Sequence, residues 1–187
     1  MNKRALLGLA TVIALQALWV IGTATTKEIA HANGQHILLA TRPVDPRDLL
    51  RGDYLILNYD VSTIKRNRVR GAIPTDPIGK HIYVALVPSG KLHQLDFASF
   101  APISPGNGRV VVRGTVDERF RWVRSGDALE KEKRDLSVVY GLERYYVPEG
   151  RGNPKGELTV EISVTSGGEP LIRELFVEGK PFADTKP

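Results

Sequence analysis

The chain has 187 residues, a formal net charge of +5 at pH 7 and no cysteine. This length is sufficient for one domain with a hydrophobic core and too short for two ordinary domains. The lack of cysteine excludes disulfides, thiolate metal sites and a cysteine nucleophile, but it does not indicate a compartment. Because the chain is only mildly basic and has no aromatic residues interleaved with its basic cluster, nucleic acid is not expected as a partner.

The N-terminus carries a long apolar segment. Lys3 and Arg4 precede ALLGLATVIALQALWVIGTA, residues 5–24, whose uncharged side chains can cross the ~30 Å hydrocarbon core of a bilayer as a helix. A cleaved signal peptide has a shorter apolar region, and residues 30–32 (AHA) would be its cleavage site. The full spanning length, together with Trp19 near the far end, favours an uncleaved single-pass anchor.

The anchor predicts how the chain is divided and where it is located. Residues 1–26 are expected to form the transmembrane helix, residues 27–35 a polar connector and residues 36–187 an exported domain. The positive charges of Lys3 and Arg4 should keep the short N-terminal flank in the cytoplasm. The lipid bilayer is therefore the first expected partner, and the C-terminal domain should lie in the periplasm or outside.

A short helical turn is predicted at residues 45–52. Asp45 is suited to cap free backbone amides, and Asp48 lies near the positive end of the turn. Gly52 can adopt the left-handed conformation that ends a helical turn. From Asp53 onward, alternating side chains predict a strand. Three residues are expected on one face, namely Leu55, Leu57 and Tyr59, and Tyr54, Ile56 and Asn58 on the other.

Basic residues cluster after this strand: Lys65, Arg66, Arg68 and Arg70. Such a cluster could contact anionic lipid head groups or an acidic partner. A solvated loop is the simpler interpretation.

The rest of the chain is dominated by short strand patterns. In ELTVEISVT, residues 157–165, apolar and polar side chains alternate, which predicts a strand, and the SGGEP turn with residues 171–177 completes a predicted hairpin. Weaker patterns occur at residues 36–41, 54–61, 81–88, 91–97, 109–116, 119–123 and 136–147. The helix-prone segment 127–135 lacks an apolar stripe and is expected on the surface. The predicted fold class is all-β: an antiparallel β-sandwich or barrel-like domain with one N-terminal transmembrane helix.

Two sequence blocks together indicate a family. GDYLILNY, residues 52–59, matches the pattern GDYXXLXY at each specified position, and the similarity extends to PVDPRDLLRGDY upstream and to YGLERYYVPEG, residues 140–150. The chain therefore resembles the GDYXXLXY motif family of bacterial membrane-anchored proteins. The resemblance implies an envelope protein of the inner (cytoplasmic) membrane, without an assigned chemistry. It marks five motif residues: Gly52, Asp53, Tyr54, Leu57 and Tyr59.

A signal-peptidase-like Ser/Lys protease is one enzymatic alternative. The segment after residue 42 resembles the region that follows the nucleophile in those membrane-anchored enzymes. Their chemistry needs a serine hydroxyl and a buried, neutral lysine. Here Thr41 is the only hydroxyl residue between residues 36 and 53, and Lys65 and Lys80 lie in hydrophilic segments. The pattern therefore does not favour proteolysis.

A carboxylate-based hydrolase is the second enzymatic alternative. Glu143 and Glu149, with the acidic residues of the 45–53 segment, could form an acid–base pair across a sugar bond. Pairing of Glu143 with Arg144 or Arg47 is the simpler interpretation. The four histidines show no ligand spacing, so neither a metal nor another cofactor is expected.

The segment RYYVPE, residues 144–149, favours binding over catalysis. Aromatic residues and arginine are enriched in protein interfaces, and strand alternation should direct either Tyr145 or Tyr146 outward. Together with the 45–54 segment it could form one surface for an integral membrane or envelope protein. The predicted function is a non-enzymatic accessory or interaction module, with a small-ligand binding barrel as an alternative. The predicted motif and binding residues are Asp45, Arg47, Asp48, Gly52, Asp53, Tyr54, Leu57, Tyr59, Glu143, Arg144, Tyr145, Tyr146 and Glu149.

Overall fold

The computed structural model describes residues 3–41, 54–106, 108–117, 135–146 and 156–182. It contains two compact units, Met1–Gly34 and Gln35–Pro187. The predicted turn at residues 45–52, the predicted strand at 119–123 and most of the helix-prone segment 127–135 lie outside the described residues. The same is true of six predicted site residues: Asp45, Arg47, Asp48, Gly52, Asp53 and Glu149.

The first unit is a single helix, α1, which spans Lys3–Ala32. Among the described residues it is the one helix long and apolar enough to cross a membrane, and its apolar window has a mean hydropathy of 1.8 with none of the window buried. Thirty residues give a helix of about 45 Å. Four threonine hydroxyls within it donate to backbone carbonyls about one turn earlier, which satisfies them internally. The predicted N-terminal apolar helix is confirmed.

The helix extends beyond the predicted anchor. Residues 27–32, which were expected to belong to a polar connector, continue α1, and β1 begins at Gln35. Nothing before Asn33 and Gly34 breaks the helix, and asparagine and glycine are typical of helix C-termini. The N–H of Asn33 still donates to the carbonyl of Ile29 at 3.0 Å, which closes the final turn.

The second unit is built from short strands. In its described part these are β1 (Gln35–Ala40), β2 (Tyr54–Ile56), β3 (Thr63–Ile64), β4 (His81–Ser89), β5 (Leu92–Ser99), β6 (Val110–Val116), β7 (Leu136–Val139), β8 (Arg144–Tyr146), β9 (Leu158–Val164), β10 (Pro170–Val177) and β11 (Lys180–Pro181). They form a five-stranded sheet in the order β3-β7-β6-β4-β5, a four-stranded sheet in the order β1-β9-β10-β11, and the two-stranded β2–β8 ribbon. The paired strands run antiparallel.

The two larger sheets bury their inner faces in one core. In β9, the alternation predicted from ELTVEISVT places Leu158, Val160, Ile162 and Val164 inside. In β6, Val110, Val112 and Val116 are buried in the same way. An isolated bridge between Thr41 and Tyr59 connects the end of β1 to the segment after β2. The sheets form a nearly closed, barrel-like body, so the all-β prediction is confirmed.

Two predicted strands differ in extent from those in the structure. The strand expected at residues 54–61 ends at Ile56, and a 3₁₀ turn occupies Asp60–Ser62. The strand expected at residues 136–147 is divided into β7 and β8, which belong to different sheets. Gly141 causes this division, because its φ of +82° is a left-handed conformation that turns the chain.

Candidate functional site

The two sequence blocks that carry the family resemblance lie side by side. Strand β2 pairs with β8 in the register Tyr54↔Tyr146, Leu55↔Tyr145 and Ile56↔Arg144. The ladder continues for one more residue, because the N–H of Leu57 donates to the carbonyl of Glu143 at 2.9 Å. The middle of the GDYLILNY segment is thus a strand that pairs with the second sequence block.

Two buried tyrosines form hydrogen bonds that hold the loop between β7 and β8, residues 140–143, against the segment that follows β2. The hydroxyl of Tyr59, the last residue of GDYLILNY, donates to the carbonyl of Leu142 at 2.9 Å. In the opposite direction, the hydroxyl of Tyr140 donates to the carbonyl of Val61 at 2.6 Å. Both rings are buried in the core. Each buried hydroxyl thus has a backbone acceptor inside the protein.

The side chain of Glu143 folds back onto the same loop. Its Oε1 accepts a hydrogen bond from the N–H of Tyr140 at 2.7 Å, and the side chain is buried. Burial raises the pKa of Glu143 above its ordinary value, although backbone N–H groups of the loop act in the opposite direction. Burial, with a smaller contribution from the nearby carboxylate, also raises the pKa of Tyr59 and of Tyr140. Both tyrosines therefore remain neutral hydrogen-bond donors at physiological pH.

The structure gives Glu143 and Arg144 different surroundings, and the pairing predicted with Arg144 or Arg47 is not found for Arg144. The ion pairs of the described residues do not include one between these two side chains. Successive residues of an extended chain point to opposite sides, so Arg144 is exposed while the carboxylate of Glu143 lies inside and binds backbone amides. The chemistry available to Glu143 in this position is to hold the turn that starts β8. Arg47, the other predicted partner, lies outside the described residues.

Strand β8 separates the two tyrosines that sequence reasoning could not distinguish. Tyr145 is half-buried, and its ring lies 6.4 Å from that of Phe182 in an edge-on arrangement with an interplanar angle of 73°. Tyr146 points outward and is 73% exposed. Leu57 and Tyr59, two predicted motif residues, are core residues with exposures of 2% and 0%. The predicted residues whose side chains the structure describes therefore divide into an inner set, which is Leu57, Tyr59, Glu143 and Tyr145, and an outer set, which is Arg144 and Tyr146.

The residues considered for hydrolysis have other contacts. Thr41 is buried at the end of β1, and its hydroxyl donates to the carbonyl of Leu158 at 2.9 Å. Lys65 and Lys80 are exposed. Within the described parts of the chain, no group of three or more His, Cys, Asp and Glu side chains is arranged to hold a metal ion.

Tyr140 is the structural residue that sequence reasoning missed. It lies in the YGLERYY block but was expected within a continuous strand, where its hydroxyl has no special role. The signal for it was Gly141, because a glycine directly after an aromatic residue in a strand pattern indicates a turn. The partner of its hydroxyl, the carbonyl of Val61, is 79 residues away and gives no sequence signal.

A comparison with known families finds a match over most of the chain. The family model described as GDYXXLXY protein matches residues 16–175, which include most of α1, the β2–β8 ribbon, the five-stranded sheet, and the four-stranded sheet up to Leu175 in β10. No curated protein and no solved structure matches the chain. Since the matched region covers most of the sequence and the motif residues Leu57 and Tyr59 occupy the core of the fold, the chain belongs to the GDYXXLXY family.

Proposed function

We propose that this protein is a non-enzymatic interaction module of the bacterial cell envelope, tethered to the inner membrane by α1, and that it docks on an integral membrane protein through the outer face of β8. The observation that carries the proposal is the exposure of Tyr146. At 73% it exceeds the exposure of Ile78 (49%) and Leu171 (39%), the other large hydrophobic side chains exposed in the described part of the β body.

The support beneath Tyr146 makes it a suitable anchor. Its strand is held by the β2 ladder on one side, and the preceding residue, Tyr145, is fixed against Phe182. An exposed aromatic side chain on a rigid strand loses little conformational entropy when a partner covers it. Arg144 lies two residues earlier on the same exposed face. Tyrosine and arginine are the residue types that most often dominate binding energy at protein interfaces.

The tether supports an integral membrane protein as the partner. A helix that remains in the bilayer restricts the β body to the membrane surface and raises its effective concentration toward other membrane proteins. Lys3 and Arg4 precede the apolar segment, which favours a cytoplasmic N-terminus and an exported body. Retention of α1 is part of the proposal, since a cleaved signal sequence would release the body.

The contacts of the former catalytic candidates support a non-enzymatic role. A nucleophile needs a hydroxyl that an adjacent base can deprotonate, but that of Thr41 is buried and donates to a backbone carbonyl. A catalytic acid needs access to substrate, but the carboxylate of Glu143 is buried against the 140–143 loop. These contacts give both side chains structural roles.

Site-specific photocrosslinking tests the proposal. A benzoylphenylalanine at position 146 of the full-length chain should form an adduct with an integral membrane protein in native membranes. The same probe at Leu171, which is exposed on β10 in a different sheet, is the matched control and should not form that adduct. Equal adducts at both positions, or none at position 146, would refute the docking surface.

A substitution provides an independent readout. Tyr146→Ala should reduce co-purification of the crosslinked partner by roughly tenfold, the size expected for an aromatic anchor. It should leave the melting temperature of the β body unchanged within about 2 °C, because the side chain is mostly exposed. If Tyr146→Ala instead unfolds the body, the residue is structural and the proposal is wrong.

A further inference from the structure

A groove of about 420 Å³ opens on a different part of the β body from Tyr146. Its walls are the end of β1, the segment from Asp60 to Lys65, and the start of β5. Polar side chains dominate the lining: Asp60, Thr63, Lys65, Arg68, His93 and Gln94. This volume falls within the range of small-ligand sites, which typically measure about 300–1,000 Å³.

Two cations, Lys65 and Arg68, line the groove. Lys65 forms no ion pair in the part of the chain that the structure describes. Arg68 ends the 3₁₀ turn Arg66–Arg68, and its Nη1 donates to the backbone carbonyl of Asp96 at 3.3 Å, which orients the guanidinium. The carboxylate of Asp96 is paired with Arg109 at 2.7 Å. The charge of Asp96 is thus compensated by Arg109 and not by Arg68.

The opposite wall contains a histidine with an unsatisfied nitrogen. His93 lines the groove from β5, and its Nδ1 is buried without a hydrogen-bond partner in the described structure. Burial lowers the pKa of His93, so the ring is neutral at pH 7 and can donate from one nitrogen. Buried polar atoms in native proteins are nearly always satisfied, and this exception belongs to a side chain that lines the groove.

The remaining polar side chains of the groove are suited to hydrogen-bond hydroxyl groups of a ligand. The Thr63 hydroxyl and the Gln94 amide can each donate and accept. Asp60 is already engaged within the protein, but a carboxylate has about four acceptor sites and can receive a further hydrogen bond. A groove that joins two cations to a carboxylate favours a ligand that carries both an anionic group and neutral hydroxyls. Lysine and arginine are the standard binders of phosphate oxygens.

We propose that this groove binds a hydroxyl-bearing phosphate ester of the glycerol phosphate type. Lys65 and Arg68 contact the phosphate of the ligand. Asp60 and Gln94 contact its hydroxyls. A soluble glycerol phosphate and the head group of phosphatidylglycerol share this chemistry. The site is independent of the docking face, because none of its lining residues belongs to β2 or β8.

Titration of the full-length protein tests the site. In a polyoxyethylene detergent, which contains no phosphate, glycerol 1-phosphate should shift the imidazole resonances of His93, and glycerol should not. The double variant Lys65→Gln/Arg68→Gln should weaken binding by at least about tenfold, since two charge-assisted contacts are lost. Lys80→Gln/Lys180→Gln removes the same charge from exposed positions outside the lining and should bind within about twofold of the wild type.

Lipid nanodiscs distinguish a soluble glycerol phosphate from the head group of phosphatidylglycerol as the ligand. If the ligand is a lipid head group, discs containing phosphatidylglycerol will shift the His93 resonances without added ester, whereas pure phosphatidylcholine discs will not. If the ligand is soluble, only glycerol 1-phosphate will shift them. The proposal is overturned if neither probe does so, if both double variants respond like the wild type, or if inorganic phosphate binds as tightly as the ester. The Tyr146→Ala variant should still bind glycerol 1-phosphate. This result would show that the groove binds its ligand independently of the docking face.

Discussion

Replacing Tyr59 with phenylalanine tests whether the last motif tyrosine is an architectural residue. The ring keeps its packing, and only the hydroxyl that donates to the carbonyl of Leu142 at 2.9 Å is lost. Because Tyr59 is fully buried, water cannot replace the donor without a rearrangement. An unsatisfied buried acceptor typically costs about 1–3 kcal/mol, and we expect a loss of about 1–2 kcal/mol in the free energy of unfolding.

The assay is thermal and urea unfolding of the full-length chain in detergent, followed by near-ultraviolet circular dichroism. For a body of this size, 1 kcal/mol corresponds to a change in melting temperature of about 2–4 °C, so Tyr59→Phe should lower it by roughly 2–8 °C. Tyr83→Phe is the matched control. Tyr83 is half-buried on β4, and its hydroxyl forms no hydrogen bond in the described structure, so its loss should change stability by less than about 0.5 kcal/mol.

Two results would contradict this reasoning. Equal effects of Tyr59→Phe and Tyr83→Phe would show that the bond to Leu142 contributes nothing specific. A Tyr59→Phe protein of unchanged stability that no longer functions would show instead that the hydroxyl acts on a partner or substrate.

Two further predictions concern the same region. Burial raises the pKa of Glu143 in the folded protein, so the folded state binds this proton more tightly than the unfolded chain does. The free energy of unfolding should therefore fall as the pH rises from the ordinary pKa of 4.5 through the raised pKa. Glu143→Gln cannot titrate, so it serves as the reference in unfolding experiments between pH 4 and pH 8. The wild type should lose stability relative to this variant as the pH rises. A stability difference that stays constant, or that shifts in favour of the wild type, would contradict the buried position of Glu143. Gly114→Ala should destabilise the body by about 1–3 kcal/mol in urea unfolding, because the added Cβ would overlap Cγ1 of Val138 and lie 3.0 Å from the Tyr140 ring. Gly167→Ala, whose Cβ meets nothing nearer than Thr165 Oγ1 at 3.8 Å, is the control, and equal losses in the two variants would contradict the close approach of β6 and β7.

The regular strands were predictable because their signal is local. In β9 the period of two is visible in Leu158, Val160, Ile162 and Val164, and the same residues form the core. The N-terminal helix was predictable for a similar reason, since its length and apolar composition are read directly from the sequence. Its end was placed too early because polar side chains after residue 24 do not by themselves stop a helix.

The candidate site depends on contacts between distant segments and was therefore only partly predictable. The sequence indicated that one of Tyr145 and Tyr146 faces outward, but the choice depends on Phe182, which lies far along the chain. The pairing expected between Glu143 and Arg144 or Arg47 was based on opposite charge. In the folded loop, the carboxylate of Glu143 instead accepts a hydrogen bond from a backbone amide. For the basic cluster, the sequence pattern favours a solvated loop. In the fold, Arg70 stacks over Phe97 at 3.7 Å, while Lys65 and Arg68 line the groove.

The central claim is that a retained helix tethers an exported β body to the membrane. Since the chain has no cysteine, Ser166→Cys in the exposed β9–β10 turn introduces a single thiol. In intact bacterial spheroplasts, a membrane-impermeant maleimide should label this thiol, and the labelled protein should remain in the membrane fraction at its full mass of 20.6 kDa. Labelling only after lysis, or a labelled soluble product that begins after the AHA sequence at residues 30–32, would contradict the claim.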